Sequence, residues 1–251
     1  MHETHRLIPP KRNEESVYAV RWALALMAVL VLSAWLPAPD ASRGLAGYPP
    51  LHTTLEVLSI GVAAMVFGVS WAVHRYRASG RALLVGTAFL GVGILDLAHT
   101  LSYPGMPDFI TPSDIEKGIN FWLSARLLAA VALLVAVWCP ERLDRWLDRR
   151  SRFLWLAAML GLCASAMLWF LGFPESTPRT YIAGVGLSPF KVRSEYVLIL
   201  LYLAAAAGPL LRRQRDREFN AAYLTLAALT MAMGEVYFAV YANAWDIYNL
   251  L

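Results

Sequence analysis

Apolar residues fall into seven long runs, approximately 17–36, 52–73, 82–101, 119–139, 153–173, 195–211 and 219–245, separated by short polar or Pro/Gly-rich connections. Most runs approach the roughly 20 residues that an α-helix needs to cross about 30 Å of hydrocarbon. They do not alternate in the two-residue period of a half-buried strand. The pattern predicts an all-α, polytopic bundle of seven transmembrane helices, with no strands, no internal repeat and no Gly-rich phosphate loop. The sixth run is the shortest and ends at Gly208-Pro209. The first run exceeds the apolar core of about 7–15 residues of a cleaved leader, and a long polar flank precedes it, so it reads as a retained helix.

Composition agrees. The chain has 251 residues, 58% of them hydrophobic and 16% charged. An ordinary soluble domain is roughly 45–50% apolar. The pI near 9.2 reflects Arg and Lys in the connections, not a basic face, and this excludes nucleic acid as a partner. Cys139 and Cys163 lack paired-cysteine metal spacing and read as small buried hydrophobes.

The basic residues predict the orientation. Sixteen Lys and Arg lie in the N-terminal flank and the second, fourth and sixth connections, against five on the other side. The side rich in Lys and Arg is cytoplasmic. Residues 1–16 then form a cytoplasmic tail, and 17–251 an integral-membrane domain of the inner membrane. Trp22, Trp71, Trp138 and Trp155 fall at inner ends, and Trp35, Trp122, Trp169 and Trp245 at outer ends, as in interfacial aromatic belts. The outer connections, about 37–51, 102–118 and 174–194, are the longer ones. Seven spans leave Leu251 outside, so a cytoplasmic output domain would need one more helix. The chain is expected to be a piece of a longer protein.

The ionisable residues inside the runs share one end. His52 and Glu56 are spaced i, i+4, and Asp96 and His99 i, i+3, so each pair shares a helix face. Arg126 and Glu235 lie at similar depth, Tyr237 and Tyr241 follow Glu235, and Glu195 opens the sixth run from the same side. Ionisable groups in a bilayer core are expensive and normally face a partner or a cavity. Three readings remain open at this point. His52, Glu56, Asp96 and His99 could ligate a divalent metal. Arg126 could grip an anionic or organic ligand oriented by the acids and tyrosines. Arg126 could instead pair with Asp96 or Glu235 in a purely structural network. A haem held axially by His52 and His99 is a weaker variant of the metal reading. His74, among Arg75 and Arg77, reads as a solvated flank, and His2 and His5 as part of the tail. Gly86, Gly91 and Gly93 allow close helix approach.

Several stretches resemble a known family. They are Leu51-His52-Thr53-Thr54-Leu55-Glu56, the run from Gly93 to Met106 with its Asp-x-x-His-x-x-x-Tyr-x-Gly-Met pattern, Phe121 to Arg126, and Gly234-Glu235-Val236-Tyr237 with Asp246-Ile247-Tyr248-Asn249. They resemble the third class of membrane-associated sensor (MASE) domains of bacterial signalling proteins, from about residue 20 to the end. The resemblance implies a membrane-embedded input module joined to a cytoplasmic histidine kinase of a two-component system or to a diguanylate cyclase. It also implies that His52, Glu56, Asp96, His99, Arg126 and Glu235 belong to a shared polar core, and, by analogy, action as a homodimer. The resemblance further implies that the segment continues into a Gly-His and an eighth helix, which is expected to be missing here.

The sequence therefore reads as a non-enzymatic sensor that binds a small ligand or metal at the extracytoplasmic side. The signal passes to an output domain in cis or in trans. A small membrane transporter, or a metal- or haem-binding membrane protein, is the alternative. A carrier would need polar groups continuing to the inner face. A two-metal enzyme would need multi-histidine helical motifs, which are not seen.

Overall fold

The computed structural model describes residues 12–35, 48–77, 79–138, 151–212 and 221–239. Among these residues it is all-α, with seven long helices in chain order: α1 (Arg12–Trp35), α2 (Tyr48–Arg77), α3 (Gly80–Ser102), α4 (Ile115–Trp138), α5 (Arg152–Gly172), α6 (Pro189–Arg212) and α7 (Ala221–Phe238). One helix stands for each apolar run. Four of them, α2 to α5, are long and apolar enough to cross a membrane by length and composition, and apolar windows of α1 and α7 are shorter. Most of the tail at 1–16, the basic stretches 139–150 and 213–220, and the terminal stretch with Tyr241, Trp245 and Asp246 to Asn249 lie outside the described residues.

α3 is the central helix. Two thirds of its apolar window is buried, against 11% for α2 and 17% for α5, and it packs on α2, α4 and α5. Its glycines make this possible. A Cβ on Gly91 would lie 2.7 Å from the Met159 sulfur and 2.8 Å from Leu128, and one on Gly86 would run into Ser70. α6 packs on α4 and α7, and α1 lies against α7. Gly208 brings α6 onto α4, where Trp138 Nε1 donates to the Ala204 carbonyl at 3.0 Å. The shared interior is apolar and rich in small residues, among them Ala125, Ala129, Ala132, Ala205, Ala228 and Ala232. Small residues let helix backbones approach closely in a setting where lipid is as apolar as leucine.

Three corrections to the pattern reading follow from local chemistry. The sixth helix begins at Pro189 rather than at 195 and runs through Pro209 to Arg212. Proline suits a first helical turn because its missing N–H has no partner there in any case. Ser188 caps the start, accepting from the Lys191 amide at 3.1 Å. Second, a two-stranded hairpin, β1 (Tyr181–Ile182) and β2 (Gly186–Leu187), folds over one connection, turned by Gly184 at φ 80° and Gly186 at φ 108°. Third, His74 is not a solvated flank. It is fully buried, and its Nδ1 donates to the Ser79 carbonyl at 2.9 Å. The α2–α3 connection is so short that the two helix ends bury each other.

Candidate functional site

The first turns of α2, α4 and α6 and the last turns of α3 and α7 meet at one end of the bundle. This antiparallel arrangement brings residues distant in sequence to one level. Capping fixes the elements there. Asp114 accepts from the Lys117 amide at 2.9 Å at the start of α4. Lys117, counted from sequence among the loop charges, is itself buried. Its ammonium donates to the carbonyls of Phe109 at 3.0 Å and Thr111 at 2.9 Å, which knits the 103–114 connection to α4. Thr180 Oγ1 donates to the Glu116 carbonyl at 3.4 Å, tying the hairpin connection to the same helix.

Six of the seven candidate residues converge here, in two groups. In the first, His52, Glu56 and His99 each offer a ligand atom, all within 4.8 Å of one another. They line a cavity of about 30 Å³ with Tyr103, Trp122, Lys191 and Phe238. His99 Nδ1 lies 2.8 Å from the Gly118 carbonyl. A carbonyl only accepts, so Nδ1 is the donor in this contact. His52 is stacked on Tyr48 (centroids 5.4 Å apart) and lies 4.4 Å from Tyr103 and 5.5 Å from the His99 ring, edge on. His52 is 5% exposed, and its Nε2 has no hydrogen-bond partner among the described residues.

The second group consists of ion pairs. Arg126 donates to Asp96 Oδ2 at 2.5 Å, with the carboxylate fully buried. The contact is single, and Asp96 Oδ1 and Arg126 Nε have no hydrogen-bond partner among the described residues. Lys191 pairs with Glu195 one turn on at 2.6 Å and donates to the Phe238 carbonyl at 2.5 Å. Glu235 faces Glu195 across the α6–α7 contact. Trp122 separates the two cations, with Arg126 5.9 Å and Lys191 5.3 Å from its ring. Tyr202 Oη donates to the Arg126 carbonyl at 3.0 Å.

The predicted metal set is therefore divided. His52, Glu56 and His99 come together without Asp96, which Arg126 holds instead. Tyr237 is buried but does not line the cavity; Phe238 does. Positions two apart on a helix point about 200° apart, so Glu235 and Tyr237 cannot share a face. Sequence reasoning missed Lys191, whose i, i+4 spacing to Glu195 was the available signal. It also missed Trp122 and Phe238, which looked like interfacial or core aromatics. The haem reading would require the helices to part, because a cavity of about 30 Å³ holds a water or two in this arrangement.

Residues 44–251 match the family model MASE3, described as a membrane-associated sensor domain. No curated protein and no solved structure matches the chain.

Proposed function

The chain belongs to the membrane-associated sensor domain family MASE3, and from that premise we propose that its polar end is where the sensed chemical cue acts. Occupation of the cavity between α2, α3 and α4 favours one packing of these helices over another. A ligand shifts such an equilibrium only as far as its affinities for the two states differ. The single observation that carries the reading is the set of buried ionisable side chains from five helices gathered at one level around a cavity. Burial of this kind is costly in a membrane and is ordinarily retained for function.

In the full reading, the bundle spans the bacterial inner membrane seven times, with the N-terminus in the cytoplasm and the cavity on the far side. The packing change reaches a cytoplasmic histidine kinase or diguanylate cyclase, in cis or in trans, within a dimer. The positive-inside count supports this orientation. The carrier alternative is disfavoured because alanine and leucine, not ionisable groups, fill the described interior between the two ends.

The test is a fusion that joins this chain, through one added transmembrane helix, to a cytoplasmic diguanylate cyclase, compared as wild type, Asp96→Asn and Glu235→Gln. Coupling energies of about 1–3 kcal/mol correspond to output changes of about 5-fold or more. Unchanged output in both variants, with protein still folded in the membrane, would contradict the reading.

A further inference from the structure

We propose that His52, Glu56 and His99 form a binding site for one divalent transition-metal cation. The site's role in signalling rests on the sensory reading above, whereas metal binding is a property of this chain alone.

Ligand supply comes first. One atom from each side chain lies within 4.8 Å of the other two. Bonds of about 2.0–2.1 Å in tetrahedral geometry place ligand atoms about 3.3 Å apart. Closing around an ion therefore requires each pair to approach by about 1.5 Å at most, the scale of the 1–2 Å helix shifts that proteins use as switches. Side-chain rotation or a small approach of α2 to α3 supplies that distance.

The histidines are prepared for this chemistry. His99 Nδ1–H is held by the Gly118 carbonyl, which orients the ring and leaves Nε2 as its other nitrogen. Metal-bound histidines almost always use their other nitrogen in this way. His52 Nε2 is buried and has no partner among the described residues, a cost that a cation would remove. The cavity, about 30 Å³, fits an ion and one water, and not an organic ligand of ordinary size.

Charge points the same way. Asp96 is paired with Arg126 and Glu195 with Lys191, which leaves Glu56 as a carboxyl on the cavity with no ion-pair partner among the described residues. Lys191 lines the same cavity, but its ammonium is already engaged by Glu195 and the Phe238 carbonyl. Two imidazoles and one carboxylate suit zinc, iron(II), manganese or cobalt. Magnesium and calcium prefer all-oxygen shells of six or more ligands.

The full chain in lipid nanodiscs is titrated with Zn(II) against a competing chelator. The expected result is saturation at one ion per chain, with affinity at least about tenfold weaker in His52→Ala and in Glu56→Gln, and unchanged in His74→Ala at the opposite end. Should His52→Ala fail to fold, the near-isosteric Glu56→Gln decides. Absence of saturable binding, affinity unmoved by these variants, or displacement by equimolar Mg(II) would overturn the site. Zn(II) binding that leaves the cyclase fusion's output unchanged would sustain the site and overturn its signalling role. An output that responds to Asp96→Asn in a chain that binds no Zn(II) would overturn the site and sustain the sensory reading of the polar end.

Discussion

Asp96 and His99 lie one turn apart on α3 and serve opposite ends. Asp96 turns to Arg126 on α4, and its charge is answered by a side chain of the same protein. His99 turns to a backbone carbonyl of that same helix, and its ring lies close to His52 and Glu56. None of His52, Glu56 and His99 forms an ion pair with a described residue. The difference teaches that the polar end is not one network. One group closes charge on charge and holds α3, α4, α6 and α7 together. The other leaves donor atoms facing a small cavity.

Breaking the closed group has the largest expected effect. Asp96→Ala leaves the Arg126 guanidinium buried without its carboxylate and is expected to destabilise the fold by about 3–5 kcal/mol. Thermal unfolding in lipid measures it, and the Asp96→Ala/Arg126→Leu double variant should recover much of the loss. Lys191→Met removes the partner of Glu195 and one tie between α6 and α7, with an expected cost of about 2–3 kcal/mol. Equal stability of this variant and wild type would mean that Glu195 finds another partner.

The open group should behave differently. His99→Ala removes one hydrogen bond to a carbonyl that α4 also uses, so the expected loss is about 1 kcal/mol. A loss as large as that of Asp96→Ala would merge the two groups into one structural network. Trp122→Leu is expected to cost a similar amount. This keeps apolar bulk but removes the ring near both Arg126 and Lys191, worth about 0.5 kcal/mol or somewhat more at each contact.

Much of this was legible in the chain. Seven apolar runs gave seven helices, because helix length and apolarity are read directly from composition along the chain. The i, i+4 and i, i+3 pairs placed His52 with Glu56 and Asp96 with His99 on common faces, since helix periodicity alone determines that. Which residue on one helix meets which on another was not legible. Asp96 could equally have joined the histidines, and only the packing of α3 on α4 gave it to Arg126. The start of α6 was misjudged because Lys191 and Arg193 looked like loop charges, although Ser188 and Pro189 carry a helix-start signal. His74 was misjudged because a charged flank normally implies water, and the tightness of the α2–α3 turn is a tertiary fact.

The central claim is that the open group answers a cation while the closed group answers itself. Its most direct test is the unfolding temperature of the nanodisc-embedded chain with and without Zn(II), in wild type, His52→Ala and His99→Ala. Zinc at about one hundred times its Kd should stabilise the wild type by about 2.7 kcal/mol, seen as a clear upward shift, and should stabilise each variant by at most about half as much. No shift in the wild type, or the same shift in all three proteins, would contradict the account.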